Sequence, residues 1–308
     1  MTVTRSQFLS LMEPILSDIL SDQDYRRRER IYSRYYMDET ESPKKRKYTF
    51  FQYGGLGDFQ AKNEGGPVSY TDPIPGPEVT MSPVRFSNGY KITQEMFDHD
   101  QFGEIRKLEQ ELRRATDDFL EVRGHLLLNN GFGTTASAGF IAAGFDGVQL
   151  FSTAHTRLDG GTNQANRPST DANLDWTSLA NGLLQFQLWV DERGRPILDD
   201  PQCLVVHIND SLTARELLGS ELKPGTPNNE INAIRGAVSE VIVSPYITDT
   251  NSWYLKSANH RAIWKWDVQP RSAMEDDFDL EVVKRKMVLG FCHGAIDWRG
   301  WYGTSGTT

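Results

Sequence analysis

Cysteine is nearly absent: Cys203 and Cys292 are the only two in 308 residues. Two thiols are too few for a disulfide framework or a thiolate metal site, and an intracellular, reducing setting is the expectation that follows. No apolar run approaches the ~20 residues of a membrane span. The N-terminal "MTVTRSQFLSLMEPILSDIL" carries acids, Pro14 and no small-residue cleavage site, which argues against a secretory signal. Also missing are a phosphate-cradling GxxxxGK[ST], a GxSxG elbow and an HExxH helix. "GFGTTASAG" follows a predicted helix instead of opening one after a strand, so it is not a dinucleotide turn. His99, His125, His155, His207, His260 and His293 are scattered without ligand spacing. No cofactor, no metal site and no catalytic residue is expected, and the chain is not read as an enzyme.

The nearest approach to enzyme chemistry is "FSTAHTRLDGG", with Ser152, His155 and Asp159 close in sequence. Triads are normally assembled from distant segments, so a polar loop held by local hydrogen bonds is the preferred reading and a hydrolase the alternative. "EDDFDLE" (Glu275 to Glu281) lacks the spacing and central glycine of a calcium loop and reads as an acidic turn entering a strand. Both cysteines read as small core residues. Trp264, Trp266, Trp298 and Trp301 read as core or subunit-contact aromatics before a ligand pocket.

What is present is a chain of 34.9 kDa, long enough for about two domains, with 38% apolar and 24% charged residues. The net charge of −9 is uneven. From Arg26 to Lys47 nine basic residues (Arg26, Arg27, Arg28, Arg30, Arg34, Lys44, Lys45, Arg46, Lys47) face four acids (Glu29, Asp38, Glu39, Glu41). A solvated helix face and charged linker is the preferred reading, against contact with nucleic acid or an acidic neighbour. An acidic chain overall is a poor dedicated DNA binder.

The periodicity predicts a helix from about Thr4 to Met37, broken near Pro14, without a clean stripe beyond Arg26; this arm needs another surface to lie on. "YTFFQY" (48–53) and "PVRFSNGYKIT" (83–93) read as strands. A long helix is expected from about 100 to 129, with Ile105, Leu108, Leu112, Ala115, Phe119, Val122 and Leu126 as its apolar stripe. An α/β block follows: a helix from about Trp176 to Val190, strand 203–208, a helix near 211–218, and strands 239–244 and 252–257. Two or three terminal strands have Lys265, Lys284 and Lys286 placed outward, as on a sheet with one wet face.

Between the first two strands lies "YGGLGDFQAKNEGGPVSYTDPIPGP" (53–77), with six glycines and four prolines in twenty-five residues. A loop of that length is either functional or a linker. The simplest topology makes it the far end of a hairpin whose legs are strands 48–53 and 83–93.

The order of these parts resembles the tailed-bacteriophage major capsid protein, more narrowly the Mu-like prophage major head subunit group, with the Hong-Kong-type capsid fold. The resemblance is carried by "GGLGDFQAKNEGG", "KITQEMFDHDQFGEIRKLEQELRRATDDFLE", "DGVQLFSTAHTRLDGGTNQANRP", "CLVVHINDSLTARELL", "VIVSPYITDTNSWYL" and "AIDWRGWYG", and runs from about Phe8 to Gly303. It implies an α+β fold with an N-terminal arm (1–47), an extended β-hairpin loop (48–91), a peripheral domain (92–170 and 261–308) holding the spine helix, and an axial α/β domain (171–260). It implies self-assembly as hexamers and pentamers into an icosahedral shell that encloses double-stranded DNA without sequence-specific binding. The partners implied are a separate scaffolding protein, a portal and a decoration protein, with no membrane; the virion would be assembled in the host bacterial cytoplasm. A non-viral nanocompartment shell of the same fold is the alternative. Intersubunit contacts are expected at Gly54, Gly55, Phe59, Lys62, Glu64, Tyr70 and Pro75 on the loop, and at Arg26, Arg27 and Arg28 on the arm. Some relatives crosslink Lys to Asn between subunits; Lys62 has no matched partner, and no crosslink is assigned.

Overall fold

The computed structural model describes residues 30–42, 44–93, 95–96, 102–225, 230–277 and 282–307. Two compact units emerge. One comprises Met1–Arg46, Ser82–Gly124 and Trp264–Cys292; the other comprises Lys47–Met81, His125–Ile263 and His293–Thr308.

The first unit is a sheet covered by one long helix. Its strands run in the order β1 (Met37–Asp38), β9 (Arg261–Asp277), β10 (Val282–Asp297), β4 (Val84–Thr93). β4 and β10 pair antiparallel, from Val84 opposite Phe291 to Thr93 opposite Val282. In the first half of β10, Val283, Arg285, Met287 and Leu289 are buried while Lys286 points to solvent, the two-residue period of a half-wet sheet. Helix α1 (Phe102–Gly124) has 23 residues, about 35 Å at ~1.5 Å each. It seats Phe119 against Phe86 and Phe291, with ring centroids 5.0 and 6.3 Å away. Ile105 joins Ile92 and Val283 in a small apolar cluster.

The buried stripe of α1 differs from the expected one. Ile105 and Leu112 are buried as predicted, but Glu109, Thr116 and Leu120 complete the inward face, while Ala115 and Val122 are exposed. The helix is turned to deliver Glu109 to Arg285, 3.2 Å away, with the Tyr90 hydroxyl donating to the same carboxylate. Thr116 satisfies its hydroxyl within the helix by donating to the Leu112 carbonyl at 2.8 Å.

The predicted N-terminal helix falls mostly outside the described residues. Its described end is a 3-10 turn (Ile31–Arg34) leading into β1. That segment finds its surface within the first unit. Glu121 of α1 accepts the backbone N–H groups of Ile31 and Tyr32 at 2.8 and 3.1 Å. Burial pushes this carboxyl up, and the two N–H donors oppose the shift. Tyr32 and Tyr36 lie on Trp264, which stacks on Phe291 at 4.4 Å. Lys265, expected on a wet face, is fully buried; its ammonium donates to the Glu39 carbonyl and Glu41 Oε1, both at 2.8 Å. The expected wet face is not found at this lysine: residues 262–266 are buried without alternation, and residues 39–41 cover its ammonium.

The second unit holds a four-stranded sheet in the order β11 (Trp301–Thr304), β8 (Trp253–Ser257), β6 (Pro201–His207), β7 (Glu240–Ser244). β6 pairs parallel with β7 and antiparallel with β8. Leu204, Val205 and Val206 are all fully buried, the continuous apolar run of a strand covered on both faces. Two helices flank the sheet, Trp176–Leu188 and Ser211–Gly219. The first starts on a capping box between Asp175 and Ser178 and approaches so closely that a Cβ on Gly182 would meet Leu255 and Tyr302 at 3.0 Å.

Candidate assembly surface

The glycine- and proline-rich stretch ends in a strand of its own. β2 (Tyr48–Gly54) pairs with β3 (Ile74–Met81), whereas the strand expected as its partner, β4, pairs with β10. The extended element is therefore a β2–β3 hairpin. β3 tolerates Pro75 and Pro77 because a two-stranded ribbon leaves edges on which a missing N–H costs nothing. The register shifts between Phe51 and Tyr53. There a Cβ on Gly76 would stand 2.7 Å from the Gln52 carbonyl oxygen, so the two backbones meet only because residue 76 is glycine.

Beyond the paired legs, residues 55–73 carry the expected contact positions. Gly55, Lys62, Glu64 and Tyr70 are exposed, as is Pro75 on β3, while Gly54 is buried at the end of β2. Phe59 is fully exposed and Tyr70 is 91% exposed; Leu56 and Val68 also lie open. The rest of its own unit thus leaves four large apolar side chains of this loop uncovered.

The base of the loop is anchored. Glu192 takes Gln52 Nε2 at 2.9 Å and the Leu158 N–H at 2.8 Å, and pairs with Arg299 at 2.8 Å. This buried carboxylate ties the hairpin to the turn between Val190 and Pro196 and to the C-terminal segment. Arg193 and Arg195 in the same turn reach the loop. Sequence reasoning passed over these residues; the available signal was "DERGRP", a glycine-centred turn with two arginines beside it.

On the arm, Arg26, Arg27 and Arg28 lie outside the described residues. Three described residues of the basic segment are used within the first unit: Arg30 pairs with Asp117 at 3.1 Å, Lys45 with Glu41 at 3.1 Å, and Lys44 donates to the Asp267 carbonyl.

The residues considered for hydrolysis do not converge. His155 is fully buried and stacks on Trp298; its ring nitrogens face Asp146 Oδ2 at 2.5 Å and Asn166 Oδ1 at 3.0 Å. Ser152 Oγ accepts the Ala154 N–H, and Asp159 holds the Gly161 N–H and Arg157. Asn166 also donates to the carbonyls of Leu150 and Trp301, so the cluster staples three chain segments together. Cys203 and Cys292 are buried, and burial pushes the Cys292 thiol up to about 12. The four tryptophans singled out are all buried. Most of the 275–281 acidic turn lies outside the described residues, and its Asp277 pairs with Lys284 at 2.6 Å. Among the described residues no group of three metal-ligating side chains forms.

The sequence profile of the phage capsid protein family matches residues 77–303. Comparison with curated proteins finds no significant match. Among solved structures, the capsid of cyanophage P-SCSP1u aligns with a TM-score of 0.58 at 7% identity over 87% of this chain and 85% of that one. The capsid of an empty GTA particle gives 0.57 at 11% identity over 89% of each chain. The procapsid of bacteriophage JBD30 gives 0.52 at 12% identity over 99% of this chain and 77% of that one. At such identities the likeness speaks to fold, and the fold is the α+β Hong-Kong-type capsid fold. With most of its length matched by the family profile, the chain belongs to the phage capsid protein family and is a major capsid shell subunit.

Proposed function

We propose that the chain is the major head subunit of a tailed phage or prophage of the Mu-like group. Its copies assemble as hexamers and pentamers into an icosahedral shell around double-stranded DNA, inside the host bacterial cytoplasm. In this reading residues 1–47 are the arm, the β2–β3 hairpin (48–81, shorter than the expected 48–91) the extended loop, 92–170 and 261–308 the peripheral domain, and 171–260 the axial domain. The carrying observation is the extended loop: its own unit leaves Phe59 and Tyr70 exposed, and in a shell a second copy covers them. A separate scaffolding protein, a portal and a decoration protein complete the assembly. The acidic net charge of −9 suits an inner wall that encloses DNA without holding a sequence. The structural likeness to a phage procapsid supports the reading at the level of fold.

Expression in bacteria together with the neighbouring head genes, followed by negative-stain microscopy, tests it. Closed shells containing nuclease-protected double-stranded DNA are expected; soluble small oligomers alone would count against it.

A further inference from the structure

The turn that anchors the loop is built to stay in shape. Val190 and Pro196 form a bridge, and the Asp191 N–H donates to the Arg195 carbonyl at 2.8 Å. Asp191 Oδ1 accepts the N–H groups of Arg193 and Arg195, each at 2.8 Å. Gly194 takes φ +81°, a left-handed conformation where a Cβ would also meet the Arg157 guanidinium at 2.8 Å.

From this turn two guanidinium groups reach both legs of the loop. Arg193 Nε donates to the Gly55 carbonyl at 2.6 Å and its Nη2 to the Asp72 carbonyl at 3.0 Å. Arg195 Nη2 donates to the Leu56 carbonyl at 2.8 Å and to Asp58 Oδ1 at 2.7 Å. Three of these four acceptors are backbone carbonyls that lie just past Gly54 and Ile74, where the β2–β3 pairing ends. The arrangement is thus more than a surface ion pair, which on its own contributes little. A planar fork with several donors suits carbonyls on two separate legs, and charged donors make the stronger hydrogen bonds.

We infer that Arg193 and Arg195 are positioning residues: they clamp both legs of the extended loop at its root and set the direction in which its distal part leaves the subunit before a neighbour is present. The clamp shortens the free segment from residues 55–73 to about 59–71. Less chain then has to be ordered when Phe59 and Tyr70 are buried, and pre-organisation of this kind favours docking. What the direction serves rests on the shell reading; the clamp itself does not.

The test is amide hydrogen exchange on the unassembled full-length subunit, comparing wild type with Arg193→Ala/Arg195→Ala. The amides at the end of the ribbon, Gly54, Ile74 and Gly76, are expected to exchange about tenfold faster in the variant, while peptides from β6 and β8 exchange as in wild type. Unchanged exchange at the loop root overturns the clamp. Lysine at both positions keeps charge and donors and is expected to restore about half of the lost protection. Lysine no better than alanine contradicts donation to the carbonyls. Co-expression with the head genes adds the second readout: the alanine variant is expected to give misshapen or open particles where wild type closes. A loosened loop with normal particles overturns the positioning role while leaving the shell reading intact. Absence of particles from wild type itself counts against the shell reading, and the exchange result still decides the clamp.

Discussion

At the scale of single residues, the least expected feature is a charge pair inside the first unit. Glu109 and Arg285 are both buried, and Tyr90 adds a third polar group to the pair. Removing one partner leaves the other charge buried without its counter-ion, which typically costs about 3–5 kcal/mol, whereas apolar replacement of both is often neutral. Urea denaturation of the unassembled subunit should therefore show Glu109→Ala losing about 3–5 kcal/mol and Glu109→Leu/Arg285→Met recovering most of it. A single variant as stable as wild type would remove the pair from the account of how α1 is seated. Neither this pair nor the buried Lys265 was legible in the sequence. A periodicity argument counts a charged residue as outward, and only the partner's position, far away in the chain, reverses that. Glu109 finds Arg285 on another element, and Lys265 is covered by residues 39–41.

At the scale of elements, local pattern served well where one rule governed. The helix expected at 176–190 is found at Trp176–Leu188, and the strand expected at 203–208 at Pro201–His207. The spine helix is found at Phe102–Gly124, followed by a short helical turn at Leu126–Asn129. The miss was β3, "IPGPEVTM", which reads as loop because proline and glycine are poor strand formers. It forms nonetheless, since its partner needs only a ribbon edge and a glycine at the point of closest approach. Two glycine substitutions separate these effects. Gly76→Ala forces a Cβ against the Gln52 backbone and should weaken the hairpin by about 1–3 kcal/mol, read as faster exchange across 48–54. Gly55→Ala meets nothing within 4 Å and should change stability by less than about 0.5 kcal/mol. Equal effects at the two sites would contradict the observed register. The anchoring turn was missed for a different reason: its arginines act on backbone carbonyls about 140 residues away in sequence, a contact no local pattern encodes.

At the scale of the whole molecule, no helix among the described residues is long and apolar enough to cross a membrane, and the order of segments carried the family, because a shell subunit is recognised by how its parts follow one another. The structure adds a pH response to the second unit. Burial, with Lys256 nearby, lowers His260 from 6.5 to about 3, and its Nδ1 accepts the Ala262 N–H at 3.3 Å. Between those values the unfolded chain binds a proton that the folded chain refuses. Stability should therefore fall with pH below 6.5, by up to about 1.4 kcal/mol per pH unit. Asp171 adds to this at lower pH. Burial works against its ionisation, but Arg167, Ser305 and Thr304 outweigh that and hold the carboxyl below its usual range. Its contribution is present above the ordinary carboxylate range and is lost as pH falls through the depressed folded value. Thermal melts of the unassembled subunit between pH 7 and 4 should show this slope, and His260→Asn should flatten it; parallel slopes for the two proteins would refute the assignment.

In the proposed shell, this chain buries its exposed loop against copies of itself. Sedimentation velocity on the wild-type protein, produced with its neighbouring head genes, tests that most directly. Discrete megadalton particles in which residues 59–71 are protected from protease are expected. A stable monomer of 34.9 kDa with that segment still open to cleavage would contradict it.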